Sequence, residues 1–205
     1  MIVMYEDVIA MTKQQQLVNA IEATKEIMDL FAKYGNSDYD GEPVTQTSHM
    51  VQCAMLAMQA NADQELVLGA FLHDIGHLLG HKNKADAMGG FGSVNHEGIG
   101  ADYLKNKGFS ERVCAVVDGH VAAKRYLVAT DETYSSKLSP ASWETLRWQG
   151  GPMTREETEA FRQHPYFSEI IQVRLWDEEA KDYNAVLLPM SLFKNYLEDY
   201  LSYRN

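Results

Sequence analysis

Apolar residues along this 205-residue chain recur at intervals of three and four, and the alternation that marks a half-buried strand is almost absent. Leu17, Ile21, Thr24, Met28 and Phe31 mark one face of a first helix, which stops at Tyr34-Gly35-Asn36. The polar residues 37–43 follow as a loop. A second helix aligns His49, Cys53, Leu56 and Ala60 along one side. Asp63 suits the N-cap of a third, an apolar helix that ends in His73-Asp74. The run Met88-Gly89-Gly90-Phe91-Gly92 leads into a helix starting near Asn95-His96. Gly108 closes that helix, and Ser110 caps the next, which delivers His120 near its end. Ser139-Pro140 reads as an N-cap followed by proline at the first helical position. Gln149-Gly150-Gly151-Pro152 is a break, and Thr154 with Glu157 makes a capping box. A further helix carries Ile170, Ile171, Arg174, Leu175 and Asp177, and Pro189 opens the last. The pattern predicts an all-α bundle, one domain over residues 1–205, without repeat or linker.

Composition narrows the chemistry. The 45% hydrophobic and 23% charged fractions are those of a soluble globular protein. A net charge of -11 leaves no broad basic face for nucleic acid or an anionic membrane, although local cations can still hold a small anion. Cys53 and Cys114 form no C-x-x-C pair, so neither a zinc knuckle nor a disulfide framework is indicated. The acidic N-terminus lacks a signal-peptide pattern, and no apolar run is long enough for a membrane span. A cytoplasmic protein with no protein partner is expected.

The third helix carries the informative feature. In Leu72-His73-Asp74-Ile75-Gly76-His77 an apolar run suddenly bears three side chains able to bind metal. A buried imidazole beside a carboxylate is costly unless both are paired or bind a cation. A capping aspartate beside a hydrogen-bonded core histidine is the simpler reading of that pair alone. His49, His96, His120 and Asp177 extend the set to enough ligands for two metal ions. His81 and His164 fit no pattern and read as surface residues. Imidazole and carboxylate without thiolate suit iron, manganese, nickel or zinc.

The order His49, His73-Asp74, His96, His120, Asp177 resembles the HD-domain superfamily, a helical bundle around a His/Asp metal centre. The resemblance implies a first metal on His49, His73, Asp74 and Asp177. Asp74 would bridge to a second, held also by His96 and His120. Further segments sharpen it: residues 38–42, 89–92 and 119–127, Leu138-Ser139 with Ser142 and Thr145, residues 149–153, and residues 174–178. They are similar to the 2-amino-1-hydroxyethylphosphonate dioxygenases, including homologues with a trimethylamino substrate, and the similarity spans roughly residues 39–181. That family implies two iron ions in a mixed-valent Fe(II)/Fe(III) state with O2 as co-substrate. It implies cleavage of the carbon–phosphorus bond of a 1-hydroxyphosphonate to phosphate and glycine or glycine betaine.

The same resemblance assigns Lys124 and Arg174 to the phosphonate, Glu42 to the substrate ammonium, and Tyr39 to a lid over the metals. Ser142 and Thr145, three apart near a helix N-terminus, can turn both hydroxyls to one anion. His77, four residues past His73, would share its helix face and donate another hydrogen bond. Without the resemblance, Tyr39 and Glu42 read as a solvated loop, and Lys124-Arg125 as a helix-end cation pair. Asp40, beside Tyr39, adds field without a required hydrogen bond and mildly favours a methylated cation. The metal ligands alone also suit a phosphohydrolase acting on a nucleotide or other phosphate ester.

Overall fold

The computed structural model describes residues 2–39, 41–83 and 95–203. Asp40 and the glycine-rich run 88–92 lie outside the described residues. The described chain forms helices α1 (Ile2–Tyr34), α2 (Gln46–Gln59), α3 (Gln64–Leu72), α4 (Ile75–Asn83), α5 (His96–Asn106) and α6 (Glu111–Thr130). It continues with α7 (Glu132–Lys137), α8 (Pro140–Trp148), α9 (Arg155–Phe161), α10 (Phe167–Glu179) and α11 (Met190–Ser202). The nearest approach to a strand among these residues is an isolated bridge between Asp38 and Thr45. No described helix is long and apolar enough to cross a membrane.

Local sequence sets the helix starts. Asp63 accepts from Leu66 N, Ser110 from Val113 N, and Ser139 from Ser142 N, each satisfying an amide that the first turn would otherwise orphan. Thr154 and Glu157 complete the capping box of α9. Gly108, at a φ of 87°, ends α5 in the left-handed conformation that glycine adopts without strain.

Three helices are stapled by a ring stack through the core. Phe71 of α3 lies 4.8 Å from Phe31 of α1 and 4.4 Å from Phe193 of α11, nearly parallel to both. Ile27, Met50, Leu68, Leu72, Leu78, Leu104, Val117, Ile170 and Val173 fill the rest of this interior. A smaller cluster of Tyr126, Leu127, Tyr134 and Leu138, with Phe161 and Phe167 against it, joins the later helices.

Three local expectations are corrected. On α1, Leu17 and Ile21 are 43% and 48% exposed, while Ala20, Ala23, Thr24, Ile27, Leu30 and Phe31 are buried. The buried seam uses alanines, so following the largest apolar side chains rotates the face by about one residue. His120 sits in the middle of α6, because Val121, Ala123 and Leu127 continue its buried face and the helix stops only at Asp131. His73 and His77 do not share a helix: the chain breaks at His73-Asp74, and α4 begins at Ile75.

Candidate metal centre

The break between α3 and α4 creates the centre. Within one continuous helix, neighbours point about 100° apart. Here His73 caps α3 and Asp74 stands between the helices, so His73 Nε2 and Asp74 Oδ2 come within 3.4 Å of each other. Gly76, two residues on, lets α5 approach so closely that a Cβ there would overlap the His96 carbonyl. One short junction therefore delivers His73 and Asp74 and seats His96. His49 comes from the first turn of α2, His120 from the middle of α6, and Asp177 from α10.

The two oxygens of Asp74 face different histidine pairs. Oδ2 lies 3.5 Å from His49 Nε2 and 3.4 Å from His73 Nε2. Oδ1 lies 3.3 Å from His96 Nε2 and 3.2 Å from His120 Nε2. Asp177 Oδ1 joins the first pair, 3.3 Å from His49 Nε2 and 3.8 Å from His73 Nε2. All six side chains are buried. Two overlapping clusters with the reach to hold an ion emerge, His49-His73-Asp74 and Asp74-His77-His96. The second brings in His77, whose Nε2 is 3.9 Å from Asp74 Oδ1 and whose ring stacks on His96 at 3.9 Å.

These donors fit divalent metal. His49 Nδ1 pairs with the Ala180 carbonyl at 3.0 Å, His73 Nδ1 with Ala70 at 2.8 Å, and His120 Nδ1 with Val117 at 2.7 Å. A carbonyl only accepts, so each ring donates through Nδ1 and turns the lone pair of Nε2 inward. Asp74 Oδ2 and Asp177 Oδ1 are buried without a hydrogen-bond donor. Converging lone pairs and orphaned carboxylate oxygens need cations between them.

The electrostatics agree. Burial opposes ionisation of Asp74, yet His73, His120 and His49 outweigh it and hold its carboxyl well below the usual range. Asp177 is likewise held low against burial by Arg174, His73 and His49. Burial, then the neighbouring His96, keeps His77 well below an ordinary imidazole.

Beside these six side chains lies a pocket that gathers the other candidates from the sequence. Tyr39, Glu42, His77, Lys124, Ser142, Thr145 and Arg174 line it together with Asp74, His96, His120 and Asp177. Tyr39 and Glu42 sit on a short hairpin, with Tyr39 N bonded to the Val44 carbonyl and Glu42 N to that of Tyr39. The Tyr39 ring stacks on His49 at 3.9 Å, directly over one of the six candidate ligands. Lys124 is buried and donates to Thr145 Oγ1 at 3.0 Å. Burial, then the positive charge of Arg174, brings its ammonium down to about 7. Arg174 donates Nε to Tyr134 Oη at 2.7 Å and grips Asp177 and Glu178 through its terminal nitrogens. Three of its five N–H donors are so committed, leaving two for a ligand. His81 is exposed, and His164 is partly buried with Nδ1 accepting from Tyr166 N.

Several neighbours went unread in the sequence. Gln46 and Gln149 also line the pocket, each with a buried Oε1 that no donor reaches. Gln46 lies three residues before His49 and Gln149 four after Thr145, so helical spacing from those two candidates would have found both. Tyr134 and Lys181 support the site through contacts with Arg174 and Glu42 far away in sequence, for which there is no local signal, whereas Glu178, four residues past Arg174, was within reach of helical spacing.

Residues 47–171 match the HD domain family. A [1-hydroxy-2-(trimethylamino)ethyl]phosphonate dioxygenase (glycine-betaine-forming) of Leisingera caerulea is 41% identical over 74% of this chain and 76% of its own length. A hydroxymethylphosphonate dioxygenase of Gimesia maris is 37% identical over 78% of this chain and 79% of its own. An uncharacterized protein of Acanthamoeba polyphaga mimivirus is 39% identical over 89% of this chain and 83% of its own. With its ordered His/Asp ligands on helices and its similarity to these enzymes, the chain belongs to the HD-domain family and is an HD oxygenase of the phosphonate-dioxygenase kind.

Proposed function

We propose that this protein uses O2 to cleave the carbon–phosphorus bond of a small 1-hydroxyphosphonate, releasing phosphate and a carboxylic acid. The observation that carries the reading is the division of Asp74: one oxygen serves His49 and His73, the other His96 and His120, beneath a pocket with a buried lysine. The relatives named as phosphonate dioxygenases supply the reaction class. His49, His73, Asp74 and Asp177 would hold one iron, and Asp74, His96 and His120 the other, in the mixed-valent state. Iron held there would supply the redox exchange with O2 and Lewis-acid attraction for an anionic substrate.

The protein's own groups position and compensate charge. Lys124 and the two remaining donors of Arg174 face the phosphonate, and Ser142 and Thr145 add hydroxyl donors. His77, kept neutral by burial, presents an uncharged imidazole beside Asp74. It is proposed to hold a hydrogen bond to the bound anion. Tyr39 covers the first metal position and swings aside when substrate enters, and Glu42 moves with it on the same hairpin. The overall change balances: a C–H and the C–P bond break, the carbon loses four electrons, and one O2 takes them up. The family resemblance supplies two candidate tails, amino and trimethylamino, which would give glycine or glycine betaine.

The discriminating experiment is oxygen uptake with a hydroxyphosphonate by iron-loaded protein. Uptake matched by phosphate release supports the proposal. Phosphate release from a phosphate ester under argon, with no uptake, would assign hydrolysis instead.

A further inference from the structure

The residue proposed to meet the substrate's tail is already engaged. Glu42 Oε1 accepts from Ser139 Oγ at 2.5 Å and lies 3.1 Å from Lys181 Nζ. Lys181 in turn donates to Glu178 Oε1 at 2.7 Å and Ser142 Oγ at 3.2 Å. An ammonium has three N–H donors, and these three partners account for all of them. Glu42 and Lys181 keep only 9% and 14% of their side-chain surface exposed, so solvent screens the pair little.

Lys181 is held there by its backbone. Ala180, before it, accepts from the His49 ring. Asp182, after it, is clamped by Gln52, whose amide donates to the Asp182 carbonyl at 3.1 Å and whose Oε1 accepts Asp182 N at 2.9 Å. A lysine anchored on both sides to α2 is a fixed element of the site. Its ammonium stands on Glu42 and Ser142, two residues proposed to bind substrate.

Charge bookkeeping gives the consequence. Lys181 pairs with both Glu42 and Glu178, and Glu178 also pairs with Arg174, which itself grips Asp177. Glu42 is therefore already paired with a fixed cation before any substrate arrives, so a cationic tail would have to displace Lys181 or sit beside its like charge. A quaternary ammonium would need aromatic faces instead. Among the described residues, Tyr39 is the one non-histidine aromatic ring lining the pocket, and it is stacked on His49.

We infer that Lys181 determines specificity by taking the place of a substrate ammonium on Glu42, so the preferred substrate is a small 1-hydroxyphosphonate whose tail is uncharged or absent. The inference rests on the phosphonate reading above and replaces the cationic tail expected from the sequence.

The test compares phosphate release under O2 by iron-loaded wild type, Lys181→Met and Lys181→Gln. The three probes are hydroxymethylphosphonate, (2-amino-1-hydroxyethyl)phosphonate and its trimethylated form. Wild type should favour the tailless probe in kcat/KM by on the order of tenfold, the scale of one misplaced charge at a desolvated site. Both variants, by freeing Glu42, should shift that ratio toward the cationic probes by a similar factor, mainly through KM. Wild-type preference for either cationic probe overturns the inference while leaving the phosphonate reading intact. So does an unchanged ratio in folded variants, and the wild-type ratio decides if neither variant folds. Release from none of the three defeats the phosphonate reading itself, and this inference with it.

Discussion

His49 and His73 face each other Nε2 to Nε2 across 3.0 Å, with their Nδ1 atoms turned outward to the carbonyls of Ala180 and Ala70. Two lone pairs aimed at one another are repulsive unless a proton or a metal lies between them. His96 and His120 repeat the arrangement at 3.0 Å on the other oxygen of Asp74. The interior thus has two clusters of donors able to hold a cation, joined by a single carboxylate.

Asp74→Ala should consequently lose both metals, since it removes the ligand they share. His120→Ala should lose mainly one. Metal analysis after iron loading checks this: about two irons per chain in wild type, under a tenth of that in Asp74→Ala, and about one in His120→Ala. Equal retention in both variants would show that Asp74 does not bridge.

Gly76→Ala should behave as a metal-site mutation although glycine binds nothing. Its Cβ would overlap the His96 carbonyl, so α5 must move back and carry His96 with it. Such overpacking costs about 1–3 kcal/mol. A lowered melting temperature together with iron near one per chain is expected, and full iron retention would count against the account of this junction.

Arg174→Lys tests whether the guanidinium also orients a metal ligand. Lysine keeps the charge but cannot reach Tyr134, Asp177 and Glu178 together as Arg174 does. Iron affinity should fall by about 10–100-fold, the usual effect of removing a group that orients a ligand. A raised KM with unchanged iron affinity would restrict Arg174 to the phosphonate.

Lys124 sets a trade-off between stability and binding. Its folded-state value of about 7 lies below the unfolded 10.5, so the unfolded chain binds more protons between those limits. Stability of the metal-free protein should rise with pH across that window. The destabilisation should be fully present below about 7. Lys124→Met should raise the melting temperature at neutral pH, flatten that rise, and weaken phosphonate binding by on the order of tenfold or more. A wild-type melting temperature that does not rise between pH 7 and 10 more steeply than that of the variant would show that Lys124 is not buried charged.

Helix starts were legible because caps are local: Asp63, Ser110, Ser139 and the Thr154–Glu157 box all bond within three residues. Residue type and order were enough to select the six His and Asp side chains that the fold brings together. The buried face of α1 was not legible, because Ala20 and Ala23 fill a seam that larger neighbours seemed to claim. The end of α3 at His73-Asp74 was legible, but the start of a separate helix at Ile75 was not, so His77 was expected on the same helix as His73. Lys181 was invisible for a related reason: its meaning depends on Glu42, 139 positions away in sequence, and on the clamps at Ala180 and Asp182.

The central claim is that dioxygen, not water, breaks the substrate. Iron-loaded protein given hydroxymethylphosphonate under 18O-labelled O2 should release phosphate in proportion to oxygen consumed and place label in the carboxylate product. Phosphate release at the same rate under argon, or label entering phosphate from 18O-water with an unlabelled carbon product, would contradict it.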